Sequence, residues 1–357
     1  MKIHSNFTGG NIVVDRIDTE TNTVFLERDI RDTEGDWFYW TFCAEGAAGE
    51  TWTFRFPSPN RVGRFGAAVS RDLTGWHWSE SGIGDTFTYT FAEDEEKVYF
   101  AHNMLYHPER FDAFCRRSRL MPEVFCKSVK GRDLPAVRFG DGDRWILLTA
   151  RHHACESTGN YVLEGAAEAL TFLLPEGYSV LVIPFVDYDG VVDGDQGKNR
   201  RPHDHNRDYT DEPIYEVVRE MMKFGRENNL RYTFDFHSPW HMGAENDYVF
   251  FSRSTEAMEP FTNAFGEYMK KATADNELKY TGKWDVGPNE KWNDETSPNS
   301  KNYFSKMESV HLSVTTETPY FGVTDGMGKI SQEAMLELGR AFGRSIAKYI
   351  KENETAL

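Results

Sequence analysis

The sequence predicts an α/β protein fronted by an antiparallel β-sandwich, and three observations lead there. Up to about Phe100, short aromatic and β-branched runs are separated by Gly, Asp, Asn and Pro, the grammar of a sandwich. After Tyr106, buried apolar runs alternate with helix-period segments, which predicts an α/β layer on a largely parallel or mixed sheet. The 357 residues exceed what one hydrophobic core organises, so two domains are expected, 1–103 and 104–357.

The sandwich strands are read at Thr23 to Glu27, Trp37 to Cys43, Thr51 to Phe56, Thr86 to Phe91 and Lys97 to Phe100. In the second domain a buried strand runs from Trp145 to Ala150, a helix from about Asn160 to Leu174, and a further strand from Tyr178 to Pro184. A helix is predicted near Pro213 to Asn228, capped by Thr210 or Asp211 with Pro213 in its first turn. Strands at Tyr232 to Phe236, Tyr248 to Ser252 and Leu312 to Thr316 follow, with an amphipathic helix from Gln332 to Lys351. Between them, Gly282 to Asn302 has no clear period and reads as a long loop near the active site.

Composition narrows the function. A formal charge of -17 disfavours a nucleic-acid backbone or an anionic membrane as the main partner. The N-terminal stretch lacks the apolar core of a signal peptide, and no apolar run approaches the roughly 20 residues that span a bilayer. Four cysteines, Cys43, Cys115, Cys126 and Cys155, show no paired spacing. A reducing cytoplasm is the expected compartment.

The chemistry concentrates where predicted strands end. The strand closing at Ala150 runs into Arg151-His152-His153-Ala154-Cys155-Glu156, and carboxyl ends of strands are where open α/β sheets build sites. His153 and Glu156, three residues apart on a tight turn, can reach one cation, and an imidazole with a carboxylate suits zinc. A second strand ends in His237 and a third in Glu317, which can act as general base on water acidified by a metal. The densest basic stretch, Gly197 to Asp208, offers Asn206 and Arg207 as a clamp for a terminal carboxylate and Arg200 to polarise a scissile carbonyl. His203 and His205 form an HxH pair; too few strand–helix units follow for an amidohydrolase barrel, so they are read as structural or supporting.

Taken in order, HxxE, an Asn-Arg pair, a strand-end His and a late-strand Glu resemble the zinc carboxypeptidase family, in its cytosolic carboxypeptidase-like branch with an N-terminal β-sandwich. The aromatic strands around Trp37 to Trp40, Trp52 to Phe56 and Val98 to Ala101 are similar to that front domain. The resemblance implies a zinc-carboxypeptidase-like α/β/α domain with a mixed sheet and one Zn2+ per chain held by His153, Glu156 and His237. It implies Glu317 as base, Arg200 at the oxyanion and Asn206 with Arg207 on the substrate carboxylate. Tyr303 is the candidate for the family's mobile tyrosine. The implied partner is a peptide or protein C-terminus. Lys301 and Lys306 are candidate cations for an acidic last residue. The chain departs from the family at Asp187-Tyr188-Asp189-Gly190 and at Cys155 in the ligand loop. Two rival functions remain: a zinc-dependent N-acyl amino-acid deacylase of the aspartoacylase and succinylglutamate desuccinylase kind, and, more remotely, a non-catalytic peptide- or glycan-binding protein.

Overall fold

A computed structural model describes residues 1–322 and 329–353. The first 101 residues form nine strands: β1 (Lys2–His4), β2 (Val13–Asp18), β3 (Thr23–Glu27), β4 (Thr41–Glu45), β5 (Thr51–Arg55), β6 (Ala68–Ser70), β7 (His77–Trp78), β8 (Thr86–Thr90) and β9 (Lys97–Ala101). They assemble into a sheet of order β1-β4-β9-β6-β7 and another of order β2-β3-β5-β8. Alternate residues of both sheets, among them Leu26, Phe42, Phe54, Phe87 and Phe100, close a core between them. Trp40 is fully buried there, and its indole N–H donates to the Arg61 carbonyl at 2.6 Å. The sandwich is not wholly antiparallel, because β3 runs parallel to β5. Nor does the aromatic run Trp37 to Trp40 lie in a strand; the chain joins the sheet only at Thr41.

The remaining chain adds helix α1 (Pro108–Ser118), then β10 (Glu123–Lys127), β11 (Asp133–Gly140) and β12 (Arg144–Ala150). There follow α2 (Thr158–Leu173), β13 (Tyr178–Ile183), α3 (Tyr188–Asp193), α4 (Glu216–Glu227) and β14 (Asn229–His237). The last elements are β15 (Phe250–Arg253), α5 (Glu259–Ala272), α6 (Ser300–Ser305), β16 (Leu312–Glu317) and α7 (Gln332–Asn353). The seven strands form one mixed sheet of order β10-β11-β13-β12-β14-β16-β15. Its centre is parallel: β12 pairs with β13 and β14, and β14 with β16. Strand residues alternate between two apolar layers. Ile146 and Leu148 of β12 pack with α2 and α7, while Leu147 faces the opposite side, where α4 and Phe304 of α6 lie. Helices α2 and α7 cross closely enough that a Cβ on Gly165 would stand 2.2 Å from the Leu336 carbonyl oxygen, and one on Gly339 2.2 Å from that of Val162.

Mixed-sheet α/β architecture behind a β-sandwich matches the predicted fold class. One helix start differs. α4 begins at Glu216, not near Pro213, because the Asp208 carboxylate accepts the Ile214 and Tyr215 backbone N–H groups at 2.9 and 2.8 Å and holds that segment outside the helix. Among the described residues no helix is long and apolar enough to cross a membrane.

Candidate active site

Three parallel strands deliver side chains to one edge. At the carboxyl end of β12, Arg151 adopts a left-handed backbone (φ 60°) that turns the chain sharply out of the sheet. Its buried guanidinium holds the turn, donating from Nε to the Ala154 carbonyl at 2.7 Å and from Nη1 to Asn160 Oδ1 at 3.1 Å. His153 and Glu156 emerge from this turn. β14 ends in His237, and β16 ends in Glu317 directly opposite it in the parallel register.

His153 Nδ1 lies 2.9 Å from Glu156 Oε1, and His237 Nδ1 lies 2.7 Å from Glu156 Oε2. One ligand atom from each residue falls within 4.8 Å of the others. The far nitrogens face carboxylates: His237 Nε2 is hydrogen-bonded to Asp235 Oδ2 at 2.8 Å, and His153 Nε2 stands 3.7 Å from Asp204 Oδ1. The Asp235 bond fixes the His237 ring, and both Nδ1 atoms face Glu156 with a carboxylate on the outer side of each ring, the arrangement that suits histidines serving a metal. Asp235 is itself held by His152 Nδ1 at 2.9 Å and by the Thr149 hydroxyl at 2.8 Å, and His152 Nε2 contacts the Tyr209 hydroxyl at 2.8 Å. Two imidazoles and one carboxylate, all buried, fit Zn2+ with a coordination position left over.

Charge is tightly distributed around this cluster. Burial pushes Glu156 up, yet Lys198, His153 and His237 hold it well below the usual carboxylate range. Burial raises Glu317 to about 7, with the neighbouring Glu156 charge adding to the rise and His237 opposing it. Among the described residues Glu317 Oε2 is buried without a hydrogen-bond partner.

These groups line a cavity of about 380 Å³ that also receives Asn206, Arg207, Lys198 and Lys301. Ser300 N–H donates to Asn206 Oδ1 at 3.1 Å, which orients that amide. Lys301 is buried and donates to Asn293 Oδ1 at 2.9 Å. Trp240 and Trp292, 40% and 53% exposed, widen the mouth with apolar surface. Of the loop predicted over Gly282 to Asn302, Trp292, Asn293, Asp294, Ser297 and Asn299 line the cavity, and its last residues, from Ser300, belong instead to α6.

Three expected site residues lie elsewhere. Arg200 does not line this cavity: Nε is 3.1 Å from Asp32, Nη1 2.8 Å from Asp187 and Nη2 2.8 Å from Asp195, so every guanidinium nitrogen is already engaged. Tyr303 packs against Tyr209 and Phe304 outside the cavity, and its hydroxyl accepts from Arg226 Nη1 at 2.9 Å. Lys306 is exposed and does not line the cavity. His203 bonds Asp208 at 2.7 Å and His205 stacks on Tyr215 at 3.7 Å, away from the His–Glu cluster. Sequence reasoning missed Lys198 and Asp235. For Asp235 a signal existed, since residues two apart on a strand share a face and Asp235 precedes His237 by two.

A three-layer mixed sheet with His, Glu and His converging on its parallel carboxyl edge defines the metallo-carboxypeptidase fold. A metallo-carboxypeptidase from Burkholderia cenocepacia has that fold, with a TM-score of 0.82 at 21% identity, covering 98% of this chain and 99% of that one. The fold that the resemblance to metallocarboxypeptidases implied is thereby borne out. In sequence the chain is 28% identical over 241 residues to an uncharacterized protein of Zymomonas mobilis, and 23% identical over 194 residues to cytosolic carboxypeptidase 1 of Xenopus laevis. These matches cover 62% and 46% of this chain, and only 62% and 16% of the relatives' own lengths. No protein-family model matches.

Proposed function

We propose that this chain is a zinc-dependent carboxypeptidase that releases the last residue of a peptide or protein tail. The observation that carries this reading is the meeting of His153, Glu156 and His237 with an unpartnered Glu317 oxygen in a cavity that also holds Arg207. His153 Nδ1, His237 Nδ1 and the Glu156 carboxylate are the zinc ligands, and a zinc ion there supplies Lewis acidity toward water and a carbonyl. Glu317 takes the proton from the attacking water and passes it to the leaving amine. Arg207 and the Asn206 amide hold the substrate's terminal carboxylate, which limits cleavage to the final peptide bond. Lys301, a buried cation in the same cavity, favours an acidic side chain on that last residue. The four cysteines are unpaired, which agrees with work in the reducing cytoplasm.

A deacylase of N-acyl amino acids also needs a carboxylate clamp. The roomy mouth bordered by Trp240 and Trp292 favours a longer substrate. Purified protein is given free tetrapeptides, their C-terminal amides and N-acyl amino acids, with products read by mass spectrometry. Release of one residue from the free tetrapeptide alone is expected. Equal cleavage of the amide, internal cuts, or action confined to acylated single amino acids would rule the reading out.

A further inference from the structure

The site has a cation beside the ligand cluster that neither the clamp nor the metal set uses. Lys198 Nζ lies 2.5 Å from Glu156 Oε1 and 4.7 Å from the centre of the Trp37 ring, with only 13% of its side chain exposed. Lys198 sits between a segment of the catalytic half and a loop of the sandwich. On one side the Cys155 N–H donates to the Gln196 carbonyl at 3.1 Å, fastening the Lys198 segment to the ligand turn. Gly197, in a left-handed conformation (φ 75°), allows this approach: a Cβ there would stand 2.1 Å from the Ala154 nitrogen.

The other side is gripped by the sandwich, through the loop 28–40 that joins β3 to β4. Asp32 accepts the backbone N–H of Gln196 at 3.0 Å and of Gly197 at 2.8 Å, and takes Arg200 Nε at 3.1 Å. The Thr33 hydroxyl donates to the Lys198 carbonyl. Glu34 N–H donates to the Asn199 carbonyl at 3.3 Å, and Gln196 exchanges two side-chain hydrogen bonds with the Tyr39 backbone, at 2.9 and 2.8 Å. This dense backbone-level grip centres on Lys198, which points its ammonium at Glu156 of the ligand cluster. Arg200, two residues further, acts as an anchor of the same segment, since Asp32, Asp187 and Asp195 take all its nitrogens.

Building on the carboxypeptidase reading, we propose that Lys198 is the cation that polarises the scissile carbonyl, and that the sandwich loop 28–40 exists to position it. As water oxygen adds to the carbonyl carbon, the carbonyl oxygen gains charge and Lys198 answers with an N–H hydrogen bond, keeping its proton. The C–N bond then breaks and the amine leaves with the proton delivered by Glu317. Lys198 is a catalytic residue in this scheme, and Asp32 and Thr33 are positioning residues.

The test uses the zinc-loaded full chain with a free tetrapeptide, and K198M, K198R and D32N beside the wild type. K198M is expected to lower kcat about 10²- to 10³-fold, the range for losing one oxyanion donor, with KM nearly unchanged. K198R should recover part of that loss. D32N should lower kcat about tenfold at unchanged KM and unchanged zinc content. Zinc affinity, measured by chelator competition without substrate, separates the alternatives. If K198M keeps its kcat and binds zinc more tightly, Lys198 merely neutralises Glu156 in the metal-free protein and the proposal falls. Wild type that releases no terminal residue overturns the carboxypeptidase reading and this proposal together, whereas active wild type with equally active K198M overturns only the role of Lys198.

Discussion

His237 and Glu317 stand opposite each other in the parallel register of β14 and β16, each the last residue of its strand. A metal-ligand candidate and a base candidate are thus one interstrand spacing apart, on backbones fixed by the sheet ladder. Proton transfer at a ligand site needs such fixed proximity. The same edge carries His153 and Glu156 one strand over, so the cluster is a property of the sheet's carboxyl end.

The metal prediction follows from the donor set. Purified protein should contain about one zinc per chain, and chelation should abolish peptide hydrolysis. Combined His153→Ala and His237→Ala should remove the metal, as read by elemental analysis. Stoichiometric zinc in that double variant would refute the assignment. Since the ligands sit at the edge of an extensive apolar core, the metal-free protein should remain folded by circular dichroism.

For Glu317 the expectation is kinetic. Glu317→Gln preserves shape and should keep both zinc and peptide affinity while lowering kcat by roughly two to four orders of magnitude, the range for losing general acid–base catalysis. Turnover close to wild type would move the base elsewhere.

Arg207 is exposed along the cavity wall, so the ion pair proposed between it and a substrate carboxylate is partly solvated. A charged hydrogen bond of about 1.5–3 kcal/mol corresponds to a loss of about 10- to 150-fold in kcat/KM for Arg207→Ala. Amidating the substrate removes the other half of the same contact, so the two losses should not add. Full additivity in that double cycle would show that Arg207 does not touch the carboxylate.

Lys301 supplies a pH test. Burial and then the like charge of Arg207 lower its ammonium to about 8, while Glu317, Asp235 and Asp294 resist that fall. The group is a cation below that pH and neutral above it. KM for peptides ending in Glu or Asp should therefore rise as pH passes through about 8, whereas KM for peptides ending in a neutral residue should stay flat. Lys301→Met should remove the difference, and an unchanged acidic preference in that variant would exclude Lys301 from side-chain recognition.

Much of this was legible in order along the chain. Aromatic alternation marked the sandwich, apolar runs marked β12, β13, β14 and β16, and the polar residues just past those runs marked where chemistry collects, because a buried strand can present polar groups only where it leaves the core. The parallel pairing β3–β5 and the delayed start of α4 were not legible, since one depends on strand partners distant in sequence and the other on the Asp208 carboxylate reaching two backbone N–H groups.

By itself, then, the sequence determined the two-part architecture and the grouping of His153, Glu156, His237 and Glu317 as strand-end residues, because period and burial are local properties of a chain. Only the tertiary structure decided which basic residue faces the cluster. Lys198 and Arg200 lie two apart in one basic stretch and carry the same charge. Three carboxylates, one of them Asp32 from the sandwich, draw Arg200 away, and the loop holding Asp32 turns Lys198 inward. Asp195 lies five residues from Arg200, but Asp32 lies 168 residues away, a pairing that no local pattern encodes.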